Sequence, residues 1–140
     1  MVALSDIRDW LKSFNLFSNY YIGRLDTKKK NSLGIYNLQD TGRREVIGGL
    51  KVYEKKGVSL LIHGDTNKST TEAKAYALYN ALETLIKSCN YPVIGADDRT
   101  GRAGTKIYFI ELLNNEPIDV DQDSDSIYEY VIEMNIYFEK

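Results

Sequence analysis

The final segment of the chain alternates without a break. Tyr128, Tyr130, Ile132, Met134, Ile136 and Phe138 fall on one parity, and Glu129, Val131, Glu133, Asn135, Tyr137 and Glu139 on the other. A period of two is the mark of an extended strand, and the apolar parity requires one buried face. Residues 127–138 are therefore expected to form the longest strand, with a layer packed against that face.

A different period appears between Thr70 and Ser88, where Ala73, Ala77, Leu78, Ala81, Leu82, Leu85 and Ile86 line one helical face. The alanines imply a close neighbour, and Thr70 or Thr71 with Glu72 supplies a cap and a first-turn acid. Asn90-Tyr91-Pro92 ends this helix, because proline cannot continue the hydrogen-bond ladder. Ser5 precedes Ile7, Trp10, Leu11 and Phe14, which predicts a shorter amphipathic helix over residues 5–17.

Between and after the helices, strands are expected at 20–25, 33–38 and 105–113. Residues 50–53 and 58–63 flank Glu54-Lys55-Lys56-Gly57 and read as a hairpin with Gly57 in its turn. Residues 39–49 and 95–105 are read as irregular, and 116–126 as an acidic loop. The order α-β-β-β-β-α-β-β, with strands bunched rather than alternating with helices, argues for an α+β fold: a mostly antiparallel sheet packed by two helices. With 140 residues, 43% of them hydrophobic, residues 1–140 suit a single domain that needs no disulfide or metal to fold.

Compartment and chemistry are constrained by what is scarce. One cysteine, Cys89, allows no internal bridge and points to a reducing compartment or a disulfide-free particle; at the end of an apolar helix it is read as a buried, inert thiol. Met1 to Asp6 lacks a basic-then-apolar leader, and no run approaches the roughly 18 apolar residues of a membrane span. The one histidine, His63, sits beside Asp65 at a strand end. Without a nucleophile elbow or a poised partner it is read as structural. Gly95 to Lys106 is glycine-rich but lacks the Lys-Ser/Thr of a Walker loop. No catalytic residue, cofactor or metal is expected, and the chain is read as non-enzymatic. Asp119, Asp121, Asp123 and Asp125 invite a calcium reading, but counting from Asp119 puts Ser124 and Tyr130 where an EF-hand needs glycine and glutamate. A solvated or partner-facing acidic loop is the expectation. The eleven tyrosines suit core margins, with a minority at strand edges serving as interface anchors.

Charge is the most informative distribution. The net charge of −2 conceals nine basic and four acidic residues from Arg24 to Lys56, a net of +5, and nine acidic residues against one lysine from Glu111 to Lys140, a net of −8. The sequence pI of about 5.4 argues against a dedicated nucleic-acid module. Lys28, Lys29, Lys30, Arg43 and Arg44 on one side, and Asp119, Asp121, Asp123 and Asp125 on the other, are the candidate residues of a subunit interface.

Taken in order, an N-terminal amphipathic helix, Tyr21-Ile22-Gly23-Arg24-Leu25, Gly34-Ile35-Tyr36, Leu60 to Asp65, the helix Glu72 to Leu82 and the closing strand Tyr128 to Phe138 resemble the small minor capsid and tail-completion proteins of tailed bacteriophages. These are similar to the tail terminator of lambda-like phages, and the resemblance spans nearly the whole chain. It implies a structural virion protein that forms a ring, a hexamer, capping the tail tube and docking it to a head-side connector or stopper protein. It also implies residence in a virion or phage-tail-like particle assembled in the bacterial host cytoplasm. The insertion at 116–126 and the Lys28-Lys29-Lys30 turn depart from that pattern. A small cytoplasmic protein-binding or scaffold module is the alternative.

Overall fold

The computed structural model describes residues 2–23, 29–38, 53–123 and 125–139. Along these run α1 (Leu4–Lys12), β1 (Asn19–Ile22), β2 (Ser32–Asn37), β3 (Tyr53–His63), α2 (Lys68–Ser88), β4 (Val93–Ile94), β5 (Thr105–Leu112), β6 (Ile118–Gln122) and β7 (Tyr128–Glu139). The strands form one mixed sheet in the order β1-β2-β3-β7-β5-β4, and β6 pairs with β7 beside β5. Only β1 and β2 run parallel; the other pairings are antiparallel. The α+β class follows, with more sheet than helix.

The long strand organises the rest. On β7, Tyr130, Ile132, Met134, Ile136 and Phe138 are buried while the alternate residues are half-buried. Val58, Leu60 and Ile62 of β3 stand opposite Met134, Ile132 and Tyr130. Leu33 and Ile35 of β2 stand opposite Ile62 and Leu60. This face meets Ile7, Trp10 and Leu11 of α1 and Ala75, Leu78 and Leu82 of α2 in one hydrophobic cluster. Its burial is the main stabilising term, about 1.5–3 kcal/mol for each fully buried large aliphatic side chain. On the opposite face Glu111 accepts from Asn135 Nδ2 at 3.0 Å and from the Tyr137 hydroxyl at 3.2 Å, and Phe109 packs on the Tyr137 ring with centroids 5.9 Å apart.

Several expectations are corrected. The hairpin at 50–63 does not exist within the described residues, because β3 runs unbroken from Tyr53 to His63 against the whole of β7. Gly57 is a strand residue, and a Cβ there would lie 3.1 Å from both the Cβ and the carbonyl oxygen of Leu38. It serves close packing, not a turn. Residues 50–52 and the irregular segment at 39–49 lie outside the described residues. The acidic loop contains β6, a strand the sequence hides. In α2 the cap is Asn67, whose side chain accepts from Thr70 N at 3.3 Å. Ala73 is exposed and Ala75 is the fully buried alanine, so the buried stripe is rotated from the expected one. Cys89 is exposed, not buried; it caps α2 in the left-handed region at φ 54°.

Helix α1 starts at Leu4 rather than at a Ser5 cap and stops at Lys12, after which Asn15 turns the chain with φ 57°. Its first turn is held by Asp6, which accepts from Ala3 N at 2.9 Å and from Arg102 Nη1 and Nη2 at 3.1 and 2.9 Å. Burial pushes the Asp6 pKa up, but the Ala3 bond and Arg102 outweigh it, and the net shift is downward. A depressed carboxylate adds stability that is complete above its unfolded pKa and is lost as pH falls through the folded value. Asp6→Asn should therefore cost about 1–2 kcal/mol at pH 7, and the deficit should shrink as pH falls below about 4. Urea unfolding of both proteins at pH 7 and pH 3 measures it.

Candidate functional site

Three backbone bonds gather the polar segments at one end of the sheet. Asn31 N donates to Gly64 O at 2.8 Å, Gly64 N to Tyr128 O at 3.0 Å, and Tyr128 N to Asp65 O at 2.9 Å. The lysine turn ahead of β2, the end of β3 and the start of β7 thus follow one another across this end, with the end of β3 in the middle. His63 is fully buried here, and its neighbour is not Asp65. It stands directly across from Glu129 in the β3–β7 register, with Nδ1 2.8 Å from Glu129 Oε2 and 3.7 Å from Asp123 Oδ2. Asp65 instead accepts from Thr66 N and lies 3.9 Å from Lys30 Nζ. Glu129 is the partner that sequence reasoning misses. The two residues are 66 positions apart, and only the strand register brings them together.

The candidate charges divide. Lys28, Arg43 and Arg44 lie outside the described residues, while Lys29 and Lys30 are exposed. Asp119 pairs with Lys68 Nζ at 2.9 Å. That hydrogen bond lowers the Asp119 pKa and raises that of Lys68. Asp121 and Asp125 are exposed. Asp123 turns inward, its Oδ1 accepting from Asp125 N at 2.9 Å and Ile127 N at 3.0 Å. Lys29 and Lys30 precede β2, whereas the acids lie on and after β6. The path β2-β3-β7-β6 separates them by three strand spacings, about 14 Å. They occupy opposite flanks of the same sheet end.

Sequence reading also misses an apolar edge. Phe109, Leu113, Ile118 and Val120 of β5, β6 and their connection are 44%, 41%, 38% and 47% exposed, and on the far edge Ile22 of β1 is 39% exposed. The outer side of β6 has no strand paired to it among the described residues. An unpaired edge carrying apolar side chains is the place on a sheet where another chain adds. The alternation of Ile118 and Val120 with Asp119 and Asp121 is the signal that was available.

Beside this edge an open polar groove of about 530 Å³ runs between α2 and residues 114–119. Tyrosine hydroxyls fix its walls: Tyr76 donates to Glu116 at 3.1 Å, Tyr79 to Asn114 O at 2.6 Å and Tyr130 to Glu72 at 3.2 Å. Burial, then Asp119, push the Tyr130 pKa up to about 12. The Tyr130 ring is buried in the core cluster while its hydroxyl reaches Glu72 at the groove.

The family model described as "Bacteriophage tail terminator protein" (Phage_tail_terminator_6) matches residues 2–140. No curated protein matches the chain.

Proposed function

The chain belongs to the bacteriophage tail terminator family, a family of structural phage tail proteins, and from that membership we propose that it closes into a hexameric ring. The ring caps the tail tube and joins it to the head-side connector or stopper protein. It assembles in the bacterial host cytoplasm and remains in the virion or phage-tail-like particle.

The placement of charge supports the ring reading: exposed Lys29 and Lys30 precede β2 on one flank, and exposed Asp121 and Asp125 lie on and after β6 on the other. A cyclic assembly uses a heterologous interface, in which one surface meets a different surface of the next copy. Here β3 and β7 stand between the lysine turn ahead of β2 and the acidic residues of β6, and each flank has an exposed apolar residue, Ile22 on one side and Ile118 on the other. Head-to-tail contact of the two flanks matches charge with charge and pairs the apolar edges. Charges of this kind set register and encounter more than affinity.

Native mass measurement with negative-stain imaging is the direct test, and a ring is the expected result. A monomer at tens of micromolar would overturn the reading. Asp119→Lys, Asp121→Lys and Asp125→Lys together should slow ring formation about tenfold or more at low salt, with the difference shrinking above about 0.5 M salt, where charges are screened within a few ångströms. Time-resolved light scattering at two salt concentrations reads both.

A further inference from the structure

We propose that His63, Asp123 and Glu129 bind one divalent transition cation of the zinc class, which ties the β6–β7 turn to the end of β3. The inference stands apart from ring formation and concerns the inside of one subunit. His63 Nδ1, Asp123 Oδ2 and Glu129 Oε2 point into one small volume, and the possible ligand atoms of these residues lie within 4.8 Å of one another. Zinc holds nitrogen and oxygen donors at about 2.0–2.1 Å, which sets tetrahedral donors about 3.3 Å apart. The distances of 2.8 and 3.7 Å from Nδ1 straddle that spacing.

A proton alone fits the site poorly. A single Nδ1 proton makes one good hydrogen bond, which Glu129 takes at 2.8 Å. Asp123 Oδ2 is then buried with no hydrogen-bond partner, an arrangement that costs about 1–3 kcal/mol or more for a charged group. Replacing that proton with a divalent cation gives all three side chains a bond and balances two carboxylates with two positive charges. The imidazole selects a zinc-like ion over magnesium or calcium, which prefer oxygen alone. Asp123 and Glu129 side chains are 15% exposed, enough for the ion to enter and to complete its shell with water.

Calorimetric titration of Zn²⁺ into the chelator-treated full-length protein should show one saturable equivalent and a raised melting temperature. Asp123→Asn keeps an oxygen for the bonds from residues 125 and 127 but should weaken uptake at least ~tenfold, while Asp125→Asn should leave it unchanged. Mg²⁺ should bind at least ~tenfold more weakly. His63 is the only histidine, so ¹⁵N NMR of the imidazole in the unaltered chain needs no variant: Nδ1 should lose its proton and shift on zinc addition. Absence of a one-equivalent step, unchanged affinity in Asp123→Asn, Mg²⁺ binding as tight as Zn²⁺, or a retained Nδ1 proton would each overturn the site. Rings that form in chelator and take up no zinc would remove the metal and leave the ring reading intact.

Discussion

Gly64→Ala is expected to destabilise the protein by about 2–4 kcal/mol, read as a lowered midpoint of urea unfolding. The cause is contact rather than backbone freedom. A Cβ at Gly64 would overlap Cγ2 and Oγ1 of Thr71 and lie 2.7 Å from its Cβ. Neither side can retreat cheaply. The Gly64 amide and carbonyl are both engaged, with Tyr128 and Asn31, so moving this backbone disturbs both neighbouring strands. Thr71 is fully buried, and its hydroxyl accepts from Asp65 N at 2.9 Å and donates to Asn67 O at 3.1 Å. It therefore locks the first turn of α2 onto the end of β3. Gly64→Ala combined with Thr71→Ala should lose less than the sum of the two single losses, since the second change removes part of the overlap. Simple additivity would show that the two residues do not press on each other.

The elements legible in the sequence are those whose burial has a period. Strand β7 is visible because alternate residues from Tyr130 to Phe138 enter the core, and α2 is visible because Leu78 and Leu82 recur on one face. What is hidden depends on partners distant in sequence. Glu54-Lys55-Lys56-Gly57 has the composition of a turn, yet β7 offers a ladder along all of 53–63 and holds the polar run extended. Tertiary pairing overrides local preference there. β6 escapes because all five of its residues are exposed, so no buried face betrays it. The polar cluster is hidden for a related reason: Asp123 looks like one of four equivalent acids until the turn folds it toward a histidine that neither its spacing nor its neighbours announce. The apolar edge, in contrast, was present in plain view as Ile118 and Val120, but between aspartates it reads as loop.

That edge supplies the second large effect. If the ring forms by contact of the β6 flank with the β1–β2 flank of the next copy, Ile118→Asp with Val120→Asp should convert the assembly to monomers. Apolar anchors at the centre of an interface each contribute about 2 kcal/mol or more, so losing two weakens each contact by about 10³-fold, and every contact in a cyclic ring carries the same lesion. Each added carboxylate would also have to give up its water inside the contact where an apolar side chain sat, a desolvation cost that adds to the lost apolar burial. The fold should be spared, because both side chains are more than a third exposed and surface changes of this kind usually alter stability by under about 0.5 kcal/mol. The diagnostic result is a monomer by native mass with an unchanged melting temperature. The lysine reversals at Asp119, Asp121 and Asp125 should behave differently, slowing assembly at low salt without abolishing it at high salt. Should the aspartate pair still form rings, the contact lies on another face, and the apolar edge must be assigned to the tail tube or the connector instead.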